Sequence, residues 1–472
     1  LNASIGEADL KGAVQQTVTG MLDMTDLKAG GLWNLASKTA TITKADVTGA
    51  VDMTQTGLLT LGTLLGASTW TLDGTDASIG NAAVSGQVTT TLSGSLLQLT
   101  KLVGQSGWTL NAINADIGIA DLQGDVQQTL TGVLDMDSLT ARGLWTLKGH
   151  TSTIRSAAVD KAVAITQTGL LKLTSLTSKD SLVLNGTDAQ IGSADITDTS
   201  AITLTGDLEL AALSSGDDAS LSIGSGSAIG SLNVTGELDL NVAGVLDLDS
   251  ATSTGNTLLH HRGRAGTALR YGDLNVGGGL SVTGLGDWTG NDASVVGDAS
   301  YDVGSADLHS LISNTGTLSL DALGLFAADV LNSKSRSVVL QAGSAALGAV
   351  NAGTFLKANT NGNLTIATGR SVKDLTLTTT AGSLGTIRFG ELMNPSAPGV
   401  LDTAHLKSAE NLYVETDGDV FGGNAEAEYL VSIKGRNMTF GRVQSLQEDV
   451  SLIASGLYEE GNGNVVGLLV EG

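Results

Sequence analysis

Apolar and polar residues alternate in short runs that recur at a fixed spacing through the first half of the chain. Leu134-Asp135-Met136 is one such run, and each run follows a Thr-Gly or Ser-Gly pair. Alternation with a period of two is typical of a β-strand with one buried face. The glycines of these pairs recur at an almost constant interval: Gly20, Gly57, Gly94, Gly132, Gly169 and Gly206. A repeat this regular indicates a solenoid, in which each unit packs on its neighbours.

A second column of the repeat holds tryptophan. Trp33, Trp70, Trp108 and Trp145 occupy equivalent positions, and Leu182 fills the same position in the next repeat. Because leucine replaces tryptophan there, we predict that these rings lie in the core and stack as a ladder. The alternative is an exposed aromatic platform on which sugar rings stack.

Each repeat also contains two similar halves, although the similarity between the halves is weaker than that between repeats. The apolar residues Leu134, Leu139 and Trp145 of one half align with Ile154, Val159 and Ile165 of the next half. Coils of about 17 to 20 residues, built from short strands and tight turns, are typical of a parallel β-helix. We therefore predict an all-β fold, a right-handed parallel β-helix (β-solenoid) rod.

The repeat changes along the chain and defines three segments. Residues 1–250 carry the regular 37-residue repeat with two coils each, and residues 251–330 form irregular coils with excursions. Residues 331–472 form coils of another type, which recur about every 20 residues. The first residues, LNASI, match the later GTDASI, so the chain begins inside a repeat. We expect the sequence to be the interior of a longer polypeptide.

Composition and charge narrow the choice of partners. Glycine is abundant, with 63 residues, whereas proline occurs twice and cysteine is absent, which favours short strands and turns over helices. The 48 acidic residues against 24 basic ones give a net charge of −24, which argues against nucleic acid or anionic lipid as the main partner. No long apolar run occurs, so we expect no direct insertion into a membrane.

Carboxylates recur in pairs on the outer side of the predicted strands. Three pairs share a strand face: Asp135 and Asp137, Asp207 and Glu209, and Asp247 and Asp249. Lys172 and Thr60 occupy the column of Asp135 in other repeats, which indicates a solvent-exposed position. A polysaccharide-cleaving enzyme would need carboxylates and a basic partner clustered across neighbouring coils, and the aligned columns show no such cluster. We therefore predict no catalytic residue and no enzyme.

Residues whose side chains carry oxygen ligands are close together in the sequence around a glycine turn of the last segment. The set comprises Asp417, Asp419, Asn424, Glu426 and Glu428. Calcium is the ion that such ligands favour, although the spacing is not that of an EF-hand. Calcium is thus the one cofactor that the sequence suggests, and a solvated acidic stretch is the alternative interpretation.

Basic residues interrupt the acidic chain in the irregular middle segment. The candidates for contact with a ligand are His260, His261, Arg262, Arg264, Arg270, Tyr271 and Trp288. We predict a loop that could meet an acidic polymer, with an ordinary solvated excursion between coils as the alternative. The two prolines, within residues 394–399, predict a second protruding loop.

The last segment carries a family resemblance. It rests on residues 363–366 (NLTI), 374–392 (DLTLTTTAGSLGTIRFGEL) and 430–443 (LVSIKGRNMTFGRV). These stretches resemble the coils of filamentous haemagglutinin-type exoproteins, the secreted partners of two-partner secretion systems. With its acidic balance and lack of cysteine, the chain is most similar to the large biofilm-matrix adhesins of that family, which are controlled by cyclic-di-GMP.

The resemblance implies a location and a function. It implies export through an outer-membrane β-barrel transporter, an extracellular, cell-surface or biofilm-matrix location, and adhesion through exopolysaccharide or through another copy of the same adhesin. Two alternatives from other classes stay open, a polysaccharide-cleaving β-helix enzyme and a structural spacer or surface-layer protein without a ligand of its own.

Overall fold

The computed structural model describes residues 2–380, 386–389, 405–439, 441–454, 465–466 and 469–471. Within these residues every regular element is a β-strand. The strands pair in parallel and stack as a β-solenoid of about 23 turns in total, which confirms the predicted all-β parallel solenoid. The chain divides into two compact units, Leu1–Asn233 and Val234–Gly472.

The first unit contains the strands of the regular repeat. They are β1 (Ala3–Leu10), β2 (Val14–Ala29), β3 (Trp33–Val47), β4 (Val51–Gln55), β5 (Leu58–Ala67), β6 (Trp70–Gly74), β7 (Asp76–Val84), β8 (Val88–Leu92), β9 (Leu97–Gly104), β10 (Trp108–Ala112), β11 (Ala115–Leu122), β12 (Val126–Leu130), β13 (Val133–Ala141), β14 (Trp145–Gly149), β15 (Thr151–Val159), β16 (Val163–Gln167), β17 (Leu170–Ser178), β18 (Leu182–Gly186), β19 (Asp188–Ile196), β20 (Ser200–Leu204), β21 (Leu208–Ser215), β22 (Ala219–Ile223) and β23 (Ser227–Val234).

The strands of the second unit include four of 15 or 16 residues, preceded and followed by shorter ones. They are β24 (Leu238–Val242), β25 (Leu246–Ser253), β26 (Thr257–His261), β27 (Ala268–Val276), β28 (Leu280–Val295), β29 (Ala299–Ser313), β30 (Leu318–Ser333), β31 (Val338–Ala352), β32 (Leu356–Thr360), β33 (Leu364–Ser371), β34 (Leu375–Thr379), β35 (Ile387–Phe389), β36 (Leu406–Ser408), β37 (Leu412–Glu415), β38 (Val420–Gly422), β39 (Asn424–Ala427), β40 (Val431–Gly435), β41 (Met438–Thr439), β42 (Arg442–Ser445), β43 (Val450–Ala454), β44 (Val465–Val466) and β45 (Leu469–Glu471).

From β4 onward, one turn of the first unit consists of a five-residue strand and a longer, bent one, as in β12 and β13. Buried and outward residues alternate in both strands. In β13 the alternation is broken once, where Asp137 and Ser138 both face outward between buried Met136 and Leu139. Two consecutive outward residues turn the chain through a corner. Each turn therefore offers three inward runs of apolar side chains to the core.

The pairing register shows how the repeat relates to the turns. Trp145 pairs with Val163, and Val163 pairs with Leu182, the residue that fills the tryptophan column of the next repeat. One repeat is therefore two turns, as predicted. The predicted alignment within the repeat is wrong by two positions, since Leu134 pairs with Ser152 and not with Ile154. A shift of two keeps the same face inward, so alternation alone does not fix the register.

The tryptophans lie in the core, as predicted, but they do not stack directly on one another. Trp70 is 1% exposed and pairs with Val51 on one side and Val88 on the other. The ladder therefore alternates a large and a small side chain from turn to turn. Turns of a solenoid are about 4.8 Å apart, and this alternation fits indole rings between them.

Three of the five indole N–H groups donate to side chains on the preceding turn. Trp145 Nε1 donates to Gln128 Oε1 at 3.1 Å, inside the core. Two further pairs repeat the contact: Trp33 Nε1 to Gln16 Oε1 at 3.1 Å and Trp108 Nε1 to Thr90 Oγ1 at 3.3 Å. At Trp70 the equivalent residue is Met53, and Trp70 Nε1 has no partner among the described residues. A polar side chain on the preceding turn thus accepts the indole hydrogen bond of most of these tryptophans.

Replacing Gln128 by methionine should lower the free energy of unfolding by about 1–3 kcal/mol, because it leaves the buried Trp145 N–H without an acceptor. The two side chains are similar in volume, and Met53 shows that methionine fits this column. Urea denaturation measures the change. The matched control is Met53→Gln, which offers Trp70 an acceptor and should cost less. Equal losses for the two variants would contradict this account.

Asparagine and aspartate at the corners cap the next turn. Asn114 Oδ1 accepts the Val133 N–H at 2.7 Å, and Asp188 Oδ1 accepts the Asp207 N–H at 2.8 Å. The carboxylate or amide oxygen satisfies a backbone donor that strand pairing leaves open. This explains the recurrence of Asp and Asn at one position of the repeat.

The second unit departs from the regular repeat where one turn is enlarged. Leu246 pairs with Leu269, a wider interval than in the first unit, because residues 262–267 form a loop between β26 and β27. Strands β28 to β31 then have 15 or 16 residues each, so one strand covers successive faces of a turn. The outward side of β27 to β30 carries the candidate site.

Candidate ligand-binding groove

An open cavity of about 340 Å³ lies on the outer face of β27 to β30. We call it the first groove. Its lining combines charged and polar side chains from neighbouring turns: Arg270, Tyr271, Thr289, Gly290, Asn291, Asp307, Leu308, His309 and Asp329. Strand pairing sets their order, because Arg270 pairs with Thr289 and Thr289 with Asp307. The groove therefore runs across successive turns.

A glycine next to a tyrosine ring shapes the floor of the first groove. An ideal Cβ on Gly290 would lie 2.1 Å from Tyr271 Cζ, so only glycine leaves room for the ring. Tyr271 is 1% exposed, and its hydroxyl lies 2.5 Å from that of Tyr301. Tyr301 meets Phe326 edge-on, with ring centroids 6.4 Å apart. Burial raises the pKa of both tyrosine hydroxyls, so they stay neutral.

One rim of the first groove is an ion-pair cluster. Arg270 Nη2 lies 2.6 Å from Asp249 Oδ1, and Arg270 Nε donates to Asp247. The outward-facing pair Asp247 and Asp249 therefore forms ion pairs with Arg270, a residue that we predicted from the sequence to lie in an excursion between coils. These carboxylates act as structural partners of a cation on the next turn.

The opposite rim pairs an imidazole with a carboxylate. His309 Nδ1 lies 2.9 Å from Asp329 Oδ2, and this hydrogen bond raises the pKa of His309. Asp307 precedes His309 on the same strand face and has no ion pair among the described residues. Asn291 Nδ2 donates to Asp273 Oδ1 at 2.6 Å. The groove thus offers a free carboxylate, an imidazole and amide or hydroxyl groups.

Sequence reasoning missed these groove residues. Asp307 and His309 share one strand face, and Asp329 follows His309 at an interval close to one turn. That spacing is the signal that could have found them. Asp307, Asp329 and Arg270 line one cavity, and they lie outside the aligned columns, in which the sequence shows no carboxylate cluster with a basic partner.

Several residues predicted to contact a ligand are buried instead. His261, Tyr271 and Trp288 are at most 3% exposed, so a polymer on the surface cannot reach them. His260 and His261 belong to β26 and not to a loop. Burial also lowers the pKa of His261, which favours the neutral ring. The alternating pattern of a strand, and not an excursion, accounts for these positions.

Part of the predicted excursion does leave the strands. Arg262 and Arg264 fall in the loop at 262–267. Arg270 follows in β27 and faces outward. The proline loop predicted at 394–399 lies outside the described residues.

The five proposed calcium ligands do not converge on one site. Asp419 accepts hydrogen bonds from Arg436 Nε at 3.0 Å and Asn437 Nδ2 at 2.8 Å, and the arginine contact lowers the pKa of Asp419. Glu426 pairs with Lys407 at 2.6 Å. Of the remaining three, Asp417 is exposed, Asn424 is 5% exposed, and Glu428 accepts a hydrogen bond from Gln447. No group of three or more metal-ligating side chains occurs among the described residues.

The outer-face carboxylates of the repeat are where the sequence predicted them. Asp135, Asp137, Asp207 and Glu209 all face solvent. Within the part of the chain that the structure describes, no helix is long and apolar enough to cross a membrane. Comparison with protein-family models, with curated proteins and with solved structures found no match.

Proposed function

We propose that this chain belongs to a secreted or cell-surface filamentous adhesin that binds a neutral exopolysaccharide and so promotes attachment and biofilm formation. The observation that carries the proposal is the first groove. Thr289, Asn291 and Asp307 are exposed in it and offer a hydroxyl, an amide and a free carboxylate. Such groups hydrogen-bond to sugar hydroxyls. The carboxylates of the groove favour a neutral polymer over an anionic one.

A repeated fold supports this proposal because it needs no single strong pocket. Several weak contacts along one polymer raise the overall affinity through effective concentration. The sequence resemblance to two-partner secretion exoproteins supports export through an outer-membrane β-barrel transporter. It also supports an extracellular location and contact with another copy of the adhesin.

The same groove favours a second candidate, cleavage of a polysaccharide. Asp307 supplies a carboxylate, and His309, whose pKa Asp329 raises, supplies a group that can donate a proton near neutral pH. Enzymes that cleave glycosidic bonds commonly use a proton donor and a carboxylate on opposite sides of the bond. Both candidates use the same residues, so one experiment addresses both.

Replacing Asp307 by asparagine should weaken binding of a neutral exopolysaccharide by about tenfold, because a charge-assisted hydrogen bond is lost. Co-sedimentation measures the affinity, and size-exclusion chromatography of the supernatant measures the polymer length. The matched control is Asp135→Asn, which removes an exposed carboxylate of the first unit and should leave binding unchanged.

The outcomes separate the candidates. An intact polymer with binding lost in Asp307→Asn supports the adhesin. A polymer shortened by the wild-type chain and spared by Asp307→Asn supports cleavage. Equal binding by both variants contradicts the groove assignment, and no binding by the wild type leaves a spacer or surface-layer role.

A further inference from the structure

A second cavity of the Val234–Gly472 unit is rich in cations, although the chain as a whole carries a net charge of −24. We call it the basic groove. It has a volume of about 380 Å³, and its polar lining includes Asn332, Lys334, Asn351, Arg370 and Lys407. It shares no residue with the first groove.

Four of these side chains form one column, with one residue on each turn. Asn332 pairs with Asn351, Asn351 with Arg370, and Arg370 with Lys407. Neighbouring turns are about 4.8 Å apart, so the two cations lie side by side. Like charges directly opposite each other destabilise a sheet. Folding alone therefore does not favour this arrangement.

Two of the three cations of the basic groove have no carboxylate partner among the described residues. Arg370 is exposed, and its side chain has no ion pair or hydrogen bond to another described residue. Lys334 Nζ donates to the neutral amide oxygen of Asn314 at 2.7 Å. Lys407 pairs with Glu426 at 2.6 Å, yet its side chain is 53% exposed. The basic groove thus presents the unpaired guanidinium group of Arg370 beside two lysines, of which Lys407 is paired with a carboxylate.

We infer that the basic groove binds an anionic polysaccharide that bears a carboxylate on each sugar. Arg370 and Lys407 lie on neighbouring turns of one column and offer charge-assisted hydrogen bonds to carboxylates of the polymer. Asn351 and Asn332 continue the column and offer amide groups to sugar hydroxyls. These two amides favour a polymer that carries hydroxyls as well as carboxylates over an acidic peptide.

The acidic balance of the remaining chain does not prevent this binding. The Debye length is about 8 Å at physiological ionic strength, so carboxylates farther than this from the groove are largely screened, whereas Glu426 beside Lys407 is not. For the same reason, added salt should weaken the interaction. The inference is independent of the neutral-polysaccharide site, because a failure of either set of variants leaves the other unaffected.

The test measures co-sedimentation of the whole chain with polygalacturonate at low and physiological salt. The double variant Arg370→Gln/Lys407→Gln should lower the affinity by about tenfold or more, because two charge-assisted contacts are lost. The matched control, Lys148→Gln/Lys172→Gln, removes the same number of exposed charges from the first unit and should keep the affinity. Circular dichroism verifies that both variants retain their strands.

Three outcomes would overturn the inference. Equal losses in the two double variants would show that binding follows net charge and not this groove. Binding of poly-glutamate with the same loss in Arg370→Gln/Lys407→Gln would indicate an acidic protein partner. Binding of dextran sulfate in place of polygalacturonate would assign the groove to sulfate esters.

Discussion

Replacing Trp145 by alanine should lower the free energy of unfolding by about 3–5 kcal/mol. The ring is fully buried between Val126 on the preceding turn and Val163 on the following one. Backbone pairing fixes both neighbouring turns, so the core cannot collapse into the space that the ring leaves. A cavity that stays open costs the most. Urea denaturation of the wild-type and variant chains measures the loss.

A leucine at the same position provides the matched control. Leu182 fills the equivalent column of the next repeat, and Ile165 stands there in place of Gln128. The double variant Trp145→Leu/Gln128→Ile therefore copies a natural turn and should lose clearly less stability than Trp145→Ala. If both variants lost the same amount, the cavity would not be the cause.

The repeat explains how much of the fold could be predicted. In the first unit, the alternation of apolar and polar residues predicts which face is inward. The regular spacing of the positions equivalent to Gly132 and Trp145 predicts the length of two turns. Side-chain exposure in the structure follows that pattern, with Leu134 buried and Asp135 outward. Because six repeats can be aligned, a solvent-exposed position can be recognised from the unlike residues that occupy it in different repeats.

The register inside the repeat could not be predicted from alternation. Ser152 is fully buried opposite Leu134, where an apolar residue is expected. It accepts a hydrogen bond from Gln167 Nε2 at 2.9 Å inside the core. A buried polar pair of this kind looks like a surface position in the sequence, and it shifts the alignment by two positions.

The first groove was not predicted because it lies just after the point where the repeat becomes irregular. The loop at 262–267 widens the interval between the turn of Asp247 and the turn of Arg270, so the columns of the first unit do not continue to Arg270. Aromatic and basic residues there suggested an exposed excursion, yet Tyr271 and Trp288 complete the core. The floor of the groove depends on a contact between Gly290 and a ring on the preceding turn, which only the fold creates.

Replacing Gly290 by alanine should lower the free energy of unfolding by about 1–3 kcal/mol and weaken polysaccharide binding at the first groove. The new Cβ would lie 2.1 Å from Tyr271 Cζ, so the ring must move. It has little freedom to do so, because it is 1% exposed and its hydroxyl is hydrogen-bonded to Tyr301. Urea denaturation and co-sedimentation measure the two effects on the same variant.

Two controls separate this clash from a general effect of removing a glycine. Gly12 has no heavy atom within 4 Å of its ideal Cβ, so Gly12→Ala should change stability by no more than about 0.5 kcal/mol. The double variant Gly290→Ala/Tyr271→Leu should lose less stability than the sum of the two single losses, because the smaller side chain relieves the contact. Additive losses would show that the ring and the glycine are not coupled. The floor of the groove would then not depend on their contact.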